Sequence, residues 1–324
     1  MKFSKIFTTG LTMAMIGGMA LVMSASAGAE PRMGHDHMGE GHSDHTSTCT
    51  GTFASPGVLA GWYRNVVVNG VCTVNGGLAL VFGDLTVSPG STLDAAFALN
   101  DSGSGASNLI VVGDVNVLQG ATALIGCEPN HFVCQDDPNQ TTGTLTGQNR
   151  IFGDLREFQP LGVVVHTTTI GGDVSEYGGG GGVTCTPPPG SAFATFGSPV
   201  YSDYEDTTIG GDLSVVGLQT CWLGSLRDTV GGSVTDNNNT MADPDAGEVL
   251  QNTIGHNIVC FGNSPADQFG DSGATPNVVD GQAFGQCGFN VLQPNPAPTA
   301  TNPAGPLMPI SVQGTSSHGD DDGS

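Results

Sequence analysis

The chain has 324 residues, with 30 acidic against seven basic side chains and a formal charge of −23 at pH 7. That balance excludes nucleic acids and anionic membrane surfaces as partners, since both are bound through positive charge. With only 14 Phe, 4 Tyr and 2 Trp, the composition suits a thin core filled by small aliphatic side chains.

Residues 1–29 read as a secretory signal. Lys2 and Lys5 supply the positive end, residues 16–22 are apolar and short, and Ala25, Ala27 and Ala29 offer small residues for cleavage. Its removal leaves five arginines against 30 acids, a formal charge of −25 with no lysine. The expectation is a secreted, extracellular protein with no membrane attachment after cleavage. Residues 30–48 form a low-complexity arm in which His35, His37, His42 and His45 alternate with Asp36, Glu40 and Asp44. Imidazoles and carboxylates this close can wrap Zn²⁺, Ni²⁺ or Cu²⁺. The favoured reading is a disordered polar leader that binds metals only as any His-rich peptide does.

Residues 49–290 are the body, and one unit recurs through it. Thr169-Ile170-Gly171-Gly172-Asp173-Val174 returns at Thr208–Leu213, at Thr229–Val234 and at Thr253–Ile258. Fainter copies surround Gly83-Asp84, Gly113-Asp114, Gly153-Asp154 and Gly281-Gln282. Aliphatic residues four apart, such as Ile170/Val174 and Ile209/Leu213, share one face of an extended chain. The unit therefore reads as one β-strand with Gly172 on the buried face and Asp173 opposite. Strands this short bury little alone, but stacked in parallel they make a continuous aliphatic column. The expected fold is all-β, a right-handed parallel β-helix between disordered N- and C-terminal arms. Along the Asp column the short steps fit one coil, and the steps near 40 residues predict two coils with a degenerate copy between them.

The eight cysteines (49, 72, 127, 134, 185, 221, 260 and 287) all lie in the body. An even count in an exported chain implies disulfides. Adjacency suggests 49–72, 127–134, 185–221 and 260–287, among the 105 pairings that eight cysteines allow. The first and last would staple the two ends of the solenoid. Breaks in periodicity mark excursions at 127–140, 177–204, 237–247 and 263–276. Residues 291–324 turn Pro-rich and then acidic, and read as a disordered tail.

Cys49-Thr50-Gly51-Thr52, the Gly-Asp-Val/Leu coils, Gly262-Asn263-Ser264-Pro265-Ala266 and Gly285-Gln286-Cys287 together resemble a family of small exported bacterial β-solenoids without an established activity. The resemblance spans about residues 49–290 and implies a fold and a compartment only. More loosely, the coils look like bactofilins and other right-handed β-helices.

Three features bear on function. Asp84, Asp114, Asp154, Asp173 and Asp212 form a column of carboxylates. The expected arrangement is a solvated edge capping corner amides, with Ca²⁺ held between coils by Asp154, Asp173 and Asp212 as the competing expectation. Glu157 and Glu176 stack where other coils have Val87, Val117 or Val215, and Asp236 follows in the same place. Such a pair can do acid–base chemistry, but the expectation is that the strand ends early and leaves both glutamates in solvent. Thr169, Thr208, Thr229 and Thr253 would form an outward ladder, as β-branched strand surfaces do.

Many β-helices cleave polysaccharides, and Arg150, Arg156 and Arg227 keep a lyase conceivable. However, His256 stands in Gly-His-Asn, not Gly-His-Gly, and an Arg-Ile-Lys motif is impossible in a mature chain without lysine. No catalytic residue and no required cofactor is assigned. The expected function is a non-enzymatic exported solenoid, structural or adhesive at the cell exterior, with cell-wall or matrix polysaccharide as partner. A polysaccharide-active enzyme is the alternative, and an extracellular metal-binding protein the third.

Overall fold

The computed structural model describes residues 45–74, 77–95, 108–126, 149–268, 276–289 and 291–292. Cys127 and Cys134, most of the His-rich arm and the Pro-rich tail lie outside them. The described chain winds as a parallel β-helix with three long sheets, of ten, eight and ten strands, and a two-stranded pair of Gln219–Thr220 with Thr240–Met241. Every pairing between named strands is parallel. Strands of the first sheet include Leu155–Phe158, Val174–Tyr177 and Leu213–Val216. The second holds Gly162–His166 and Tyr201–Glu205, and the third holds Asn149–Ile151, Thr168–Ile170 and Thr208–Ile209.

The repeat unit is a corner rather than a strand. Ile170 ends a strand of the third sheet, Gly171-Gly172-Asp173 turns, and Val174 begins a strand of the first sheet. Both aliphatics still point inward, because each is the inward residue beside the turn. Ile170 and Val174 are fully buried, as are Ile209 and Leu213. Their columns run through the core of the solenoid, where each fully buried aliphatic contributes about 1.5–3 kcal/mol.

Register overturns the expectation of hidden coils. Val115 pairs with Leu85 on one side and Leu155 on the other, and Val174 pairs with Leu155 and Leu213. The long steps are therefore single coils carrying extra chain between strands, with no degenerate copy inside them. In the step from Asp114 to Asp154 the described chain leaves the second sheet after Ile125 and re-enters the third at Asn149, and in the step from Asp173 to Asp212 the surplus lies between the first and second sheets, at 178–200. That last excursion is described. It carries the five-residue helix Ala192–Phe196, whose N-cap Ser191 Oγ accepts a hydrogen bond from the Ala194 N–H. Phe193 packs on Tyr201, and Tyr201 on Trp222, which covers the outer side of the second sheet. The expected 177–204 loop is thus shorter than predicted, since Tyr201–Glu205 is a strand. The solenoid also begins ahead of Cys49, with the strand Thr46–Cys49.

Three predicted disulfides are present: Cys49–Cys72, Cys185–Cys221 and Cys260–Cys287. The first ties the opening strand of the first sheet to Val71–Thr73 in the second, and the last secures the closing coil. Cys185–Cys221 pins the excursion to the body. Three disulfides fit an oxidising compartment. Among the described residues no helix is long and apolar enough to cross a membrane.

Candidate functional site

The Asp column is a hydrogen-bond ladder along one corner. Asp84 Oδ1 accepts from the Asp114 N–H, Asp114 Oδ1 from Asp154, Asp154 Oδ1 from Asp173, and Asp173 Oδ1 from Asp212, at 2.8–2.9 Å. Asp154, Asp173 and Asp212, the residues singled out as calcium ligands, are thus successive rungs. Arg156 bridges the outer oxygens of Asp114 and Asp154. The Asp114 carboxyl is held below its usual value, first by the Asp154 N–H and then by Arg156.

The ladder explains the glycines. A Cβ at Gly172 or Gly211 would sit 1.9 Å from Oδ1 of the aspartate in the preceding coil. The residue before each Asp must leave room for the carboxylate below it. Two further ladders were not anticipated from the sequence. Asp228 Oδ1 accepts from the Thr207 N–H, Asn252 Oδ1 from Asp228, and Asn277 Oδ1 from Asn252. At another corner Asn239 Oδ1 accepts from Leu218, Asn263 Oδ1 from Asn239 and Gln286 Oε1 from Asn263. All but Gln286 are buried among the acceptors. The residue preceding several of them turns left-handed, including Arg227, Gln251, Asn238 and Gly262. Spacings of 23–25 residues between successive acceptors are the signal the sequence carries for them.

The glutamate pair overturns the expectation of solvent exposure. The strands do not end early: Glu157 pairs with Glu176 in register, between Val117 and Val215. Both point into the solenoid and are 2% and 1% exposed. What the sequence could not reveal is a polar partner from the opposite wall. Tyr204, from the second sheet, places its hydroxyl 2.5 Å from Glu157 Oε2 and 3.1 Å from Glu176 Oε2, and Ser202 Oγ donates to Glu176 Oε1 at 2.7 Å. The tyrosine has one proton for two carboxyl contacts, so the other contact requires a proton on a carboxyl. Burial, then the neighbouring Glu176 charge, pushes Glu157 well above the carboxylate range, and burial pushes Glu176 up to about 7. Asp236 extends the column with Asn239 as donor to its carboxylate, and burial raises it too, with Asp267 adding to the rise. These acids are buried in the core, where their hydrogen bonds tie neighbouring coils and the second sheet together.

The three arginines do not converge. Arg156 lies on the exposed side of the first sheet beside Asp114, and Arg150 stands over the Phe152 ring of the third, 4.9 Å from its centroid. Arg227 binds Glu205 and Asp206 at the far corner of the second.

The early coils expose apolar side chains on the outer side of the third sheet, as the first sheet does at Phe158 and Tyr177. In the first coils Trp62, Leu80 and Ile110 pair in register on the third sheet, and Phe82, Val112 and Phe152 follow just past the strand ends, at the corner position that Gly171 takes later. Trp62 is 77% exposed, and Phe82 and Phe152 are more than half exposed. Trp62 and Phe82 meet edge to face, 6.5 Å between centroids. The Trp62–Leu80–Ile110 row continues through Arg150 to Thr169, Thr208, Thr229 and Thr253, the expected outward ladder. Of the arm histidines, His45 adjoins the first strand, while His35, His37 and His42 lie outside the described residues.

The fold and these ladders define a disulfide-stapled parallel β-helix. Comparison of the chain with protein-family models, with curated proteins and with solved structures finds no match in any of the three.

Proposed function

We propose that this chain is an exported, non-enzymatic β-solenoid with a structural or adhesive role at the cell exterior, and that its adhesive side is the aromatic face of the third sheet. The observation that carries this reading is the cluster of exposed Trp62, Phe82, Val112 and Phe152 on the early coils of an acidic chain. Contiguous exposed apolar surface of this kind marks an interaction site. Neighbouring coils set these side chains about 4.8 Å apart, and the exposed rings of Trp62, Phe82 and Phe152 suit stacking on the apolar faces of sugar units in an extended polysaccharide. The dispersed arginines and the buried glutamates support a non-enzymatic role.

The test is sedimentation of the full chain with insoluble cell-wall and matrix polysaccharides, paired with fractionation of a culture into medium, wall and matrix. Retention on polysaccharide that is lost in W62A/F82A/F152A, with circular dichroism unchanged, is the expected result. Equal sedimentation of the triple variant, or release of sugar fragments by the native protein, would overturn the proposal.

A further inference from the structure

On the outer side of the second sheet, a histidine and two carboxylates meet at one point, away from the aromatic face. His166 ends the strand Gly162–His166, and Asp203 and Glu205 are the outward residues of Tyr201–Glu205. Register sets Glu205 directly beside His166, with Asp203 one outward position back, beside Val164. His166 Nε2 lies 2.9 Å from Asp203 Oδ2 and 3.5 Å from Glu205 Oε2. One ligand atom from each residue falls within 4.8 Å of the other two, and all three side chains are buried.

We propose that His166, Asp203 and Glu205 bind a single divalent transition-metal ion of the Zn²⁺ type through Nε2, Oδ2 and Oε2. Two carboxylates held this close out of water repel each other and call for a cation between them. A proton on Nε2 points at one oxygen, whereas two converge on this nitrogen. Around a tetrahedral Zn²⁺ with bonds of about 2.0–2.1 Å, neighbouring donors stand roughly 3.3 Å apart. The two separations observed here bracket that value.

A second observation points to a ligand independently. Asp203 is 5% exposed, yet its other oxygen, Oδ1, has no hydrogen-bond partner among the described residues. A buried carboxylate oxygen left so is costly, and a metal-bound carboxylate can use it as a second bond or accept from a metal-bound water. Gly224, next in the same row, leaves it space, since a Cβ there would lie 2.6 Å from Oδ1.

The surroundings are those of a ligand shell. Arg227 Nη2 donates to Glu205 Oε1, and its Nε donates to Asp206 Oδ1 at 3.0 Å. This holds the glutamate so that Oε2 faces the histidine, the orienting role that outer groups play around metals. Asp203, Glu205 and Asp206 outnumber the one guanidinium of Arg227, an excess of acidic groups that a divalent ion offsets. The imidazole donor selects a borderline ion over Ca²⁺ or Mg²⁺, which prefer oxygen alone. Two other clusters with ligand-type side chains, around Cys185/Cys221 and Cys260/Cys287, have their sulfurs in disulfides.

The experiment uses the full chain with His35, His37, His42 and His45 replaced by alanine, so that the arm offers no imidazole. Zn²⁺ alone is titrated against a chromophoric chelator, and melting is followed with Zn²⁺ or EDTA. One tightly held ion per chain and a higher Tm with Zn²⁺ are expected. Adding H166A should lower affinity at least tenfold and abolish the Tm shift. Adding E205Q, which keeps the side chain's shape, should also weaken binding at least tenfold and decides the matter if H166A fails to fold. No bound Zn²⁺ in the arm variant, or undiminished binding in folded E205Q, would overturn the site.

Discussion

Ser233 is what lets His256 stand in a column of glycines. At Gly172, Gly211 and Gly232 a Cβ would lie 1.9–2.1 Å from Oδ1 of the aspartate one coil earlier. After Ser233, whose side chain is one atom group shorter than Asp, the next coil carries a side chain at this position, where the coils above Asp84, Asp114, Asp154, Asp173 and Asp212 carry glycine. The shorter cap is also a looser one, with Ser233 Oγ 3.4 Å from the Asn257 N–H, against 2.7 Å from Asp212 Oδ1 to the Ser233 N–H.

It follows that Ser233→Asp should drive a carboxylate into the His256 Cβ and destabilise the fold by about 1–3 kcal/mol, the usual range for overpacking. Coupling it with His256→Gly should restore the loss, because the pair then reproduces the Asp212/Gly232 arrangement. Urea denaturation of the two single variants and the double variant gives the coupling directly. Additive effects would mean that the two positions do not share this space.

Stability should fall as pH rises from 5 to 8. Burial raises Glu176 from 4.5 to about 7 and Asp267 from 3.8 to about 6, and raises Glu157 and Asp236 well above their ordinary values. Between the unfolded and folded values the native chain binds more protons than the unfolded one. The stabilisation is therefore complete below the unfolded value and is lost as pH rises through the folded one. For Glu176 alone the full effect is roughly 3 kcal/mol. Melting of the native chain and of E157Q/E176Q across this range checks it, since the double variant keeps the shapes and should show a shallower fall. Equal slopes would place the protons elsewhere.

The contrast between the ladder and the glutamates explains how far the sequence could be read. The Gly-Gly-Asp unit recurs, so its column, the aliphatic columns and the parallel stacking were all visible. The location of the turn was not. A four-residue spacing of Ile170 and Val174 satisfies a continuous strand and a corner equally, and the change of sheet between them distinguishes the two. Coil length failed for a related reason: an excursion adds residues without adding a coil, so a step of 40 residues has two meanings until register is known. For Glu157 and Glu176 the alignment was correct and the burial was not. Glutamate at an inward position is costly unless something across the core receives it, and Tyr204 lies 47 residues beyond Glu157 in a stretch read as loop. His166, Asp203 and Glu205 escaped for the same reason, because only strand pairing brings 166 beside 205.

Ile209 tests the columns themselves. It is 1% exposed, pairs with Ile170 and Val230, and lies midway along the third sheet. Ile209→Asp places an unpaired carboxylate between aliphatics, and should cost several kcal/mol or force the group to stay protonated. A marked drop in Tm is expected, with loss of β-sheet circular dichroism at 37 °C. An unchanged melt would require Ile209 to face outward.

The last coil depends on Cys260–Cys287 in a way that the interior coils do not depend on any one contact. Cys260 occupies the inner column that holds Glu157, Glu176 and Asp236, and both cysteines are fully buried. The strand Ala283–Gly285 closes the first sheet, pairing with Ile258–Phe261 on one side only. A terminal repeat has one neighbour and so about half the stacking of an interior one. The chain-entropy model gives about 3.5 kcal/mol for a bridge closing 27 residues. Much of that should be felt locally in C260S/C287S, as opening of the end rather than loss of the whole solenoid. Hydrogen exchange should then speed up first in residues 276–289, while the strand Leu155–Phe158 keeps its protection. Uniform acceleration along the chain would instead mean that the solenoid unfolds as one unit and that the disulfide acts on all of it.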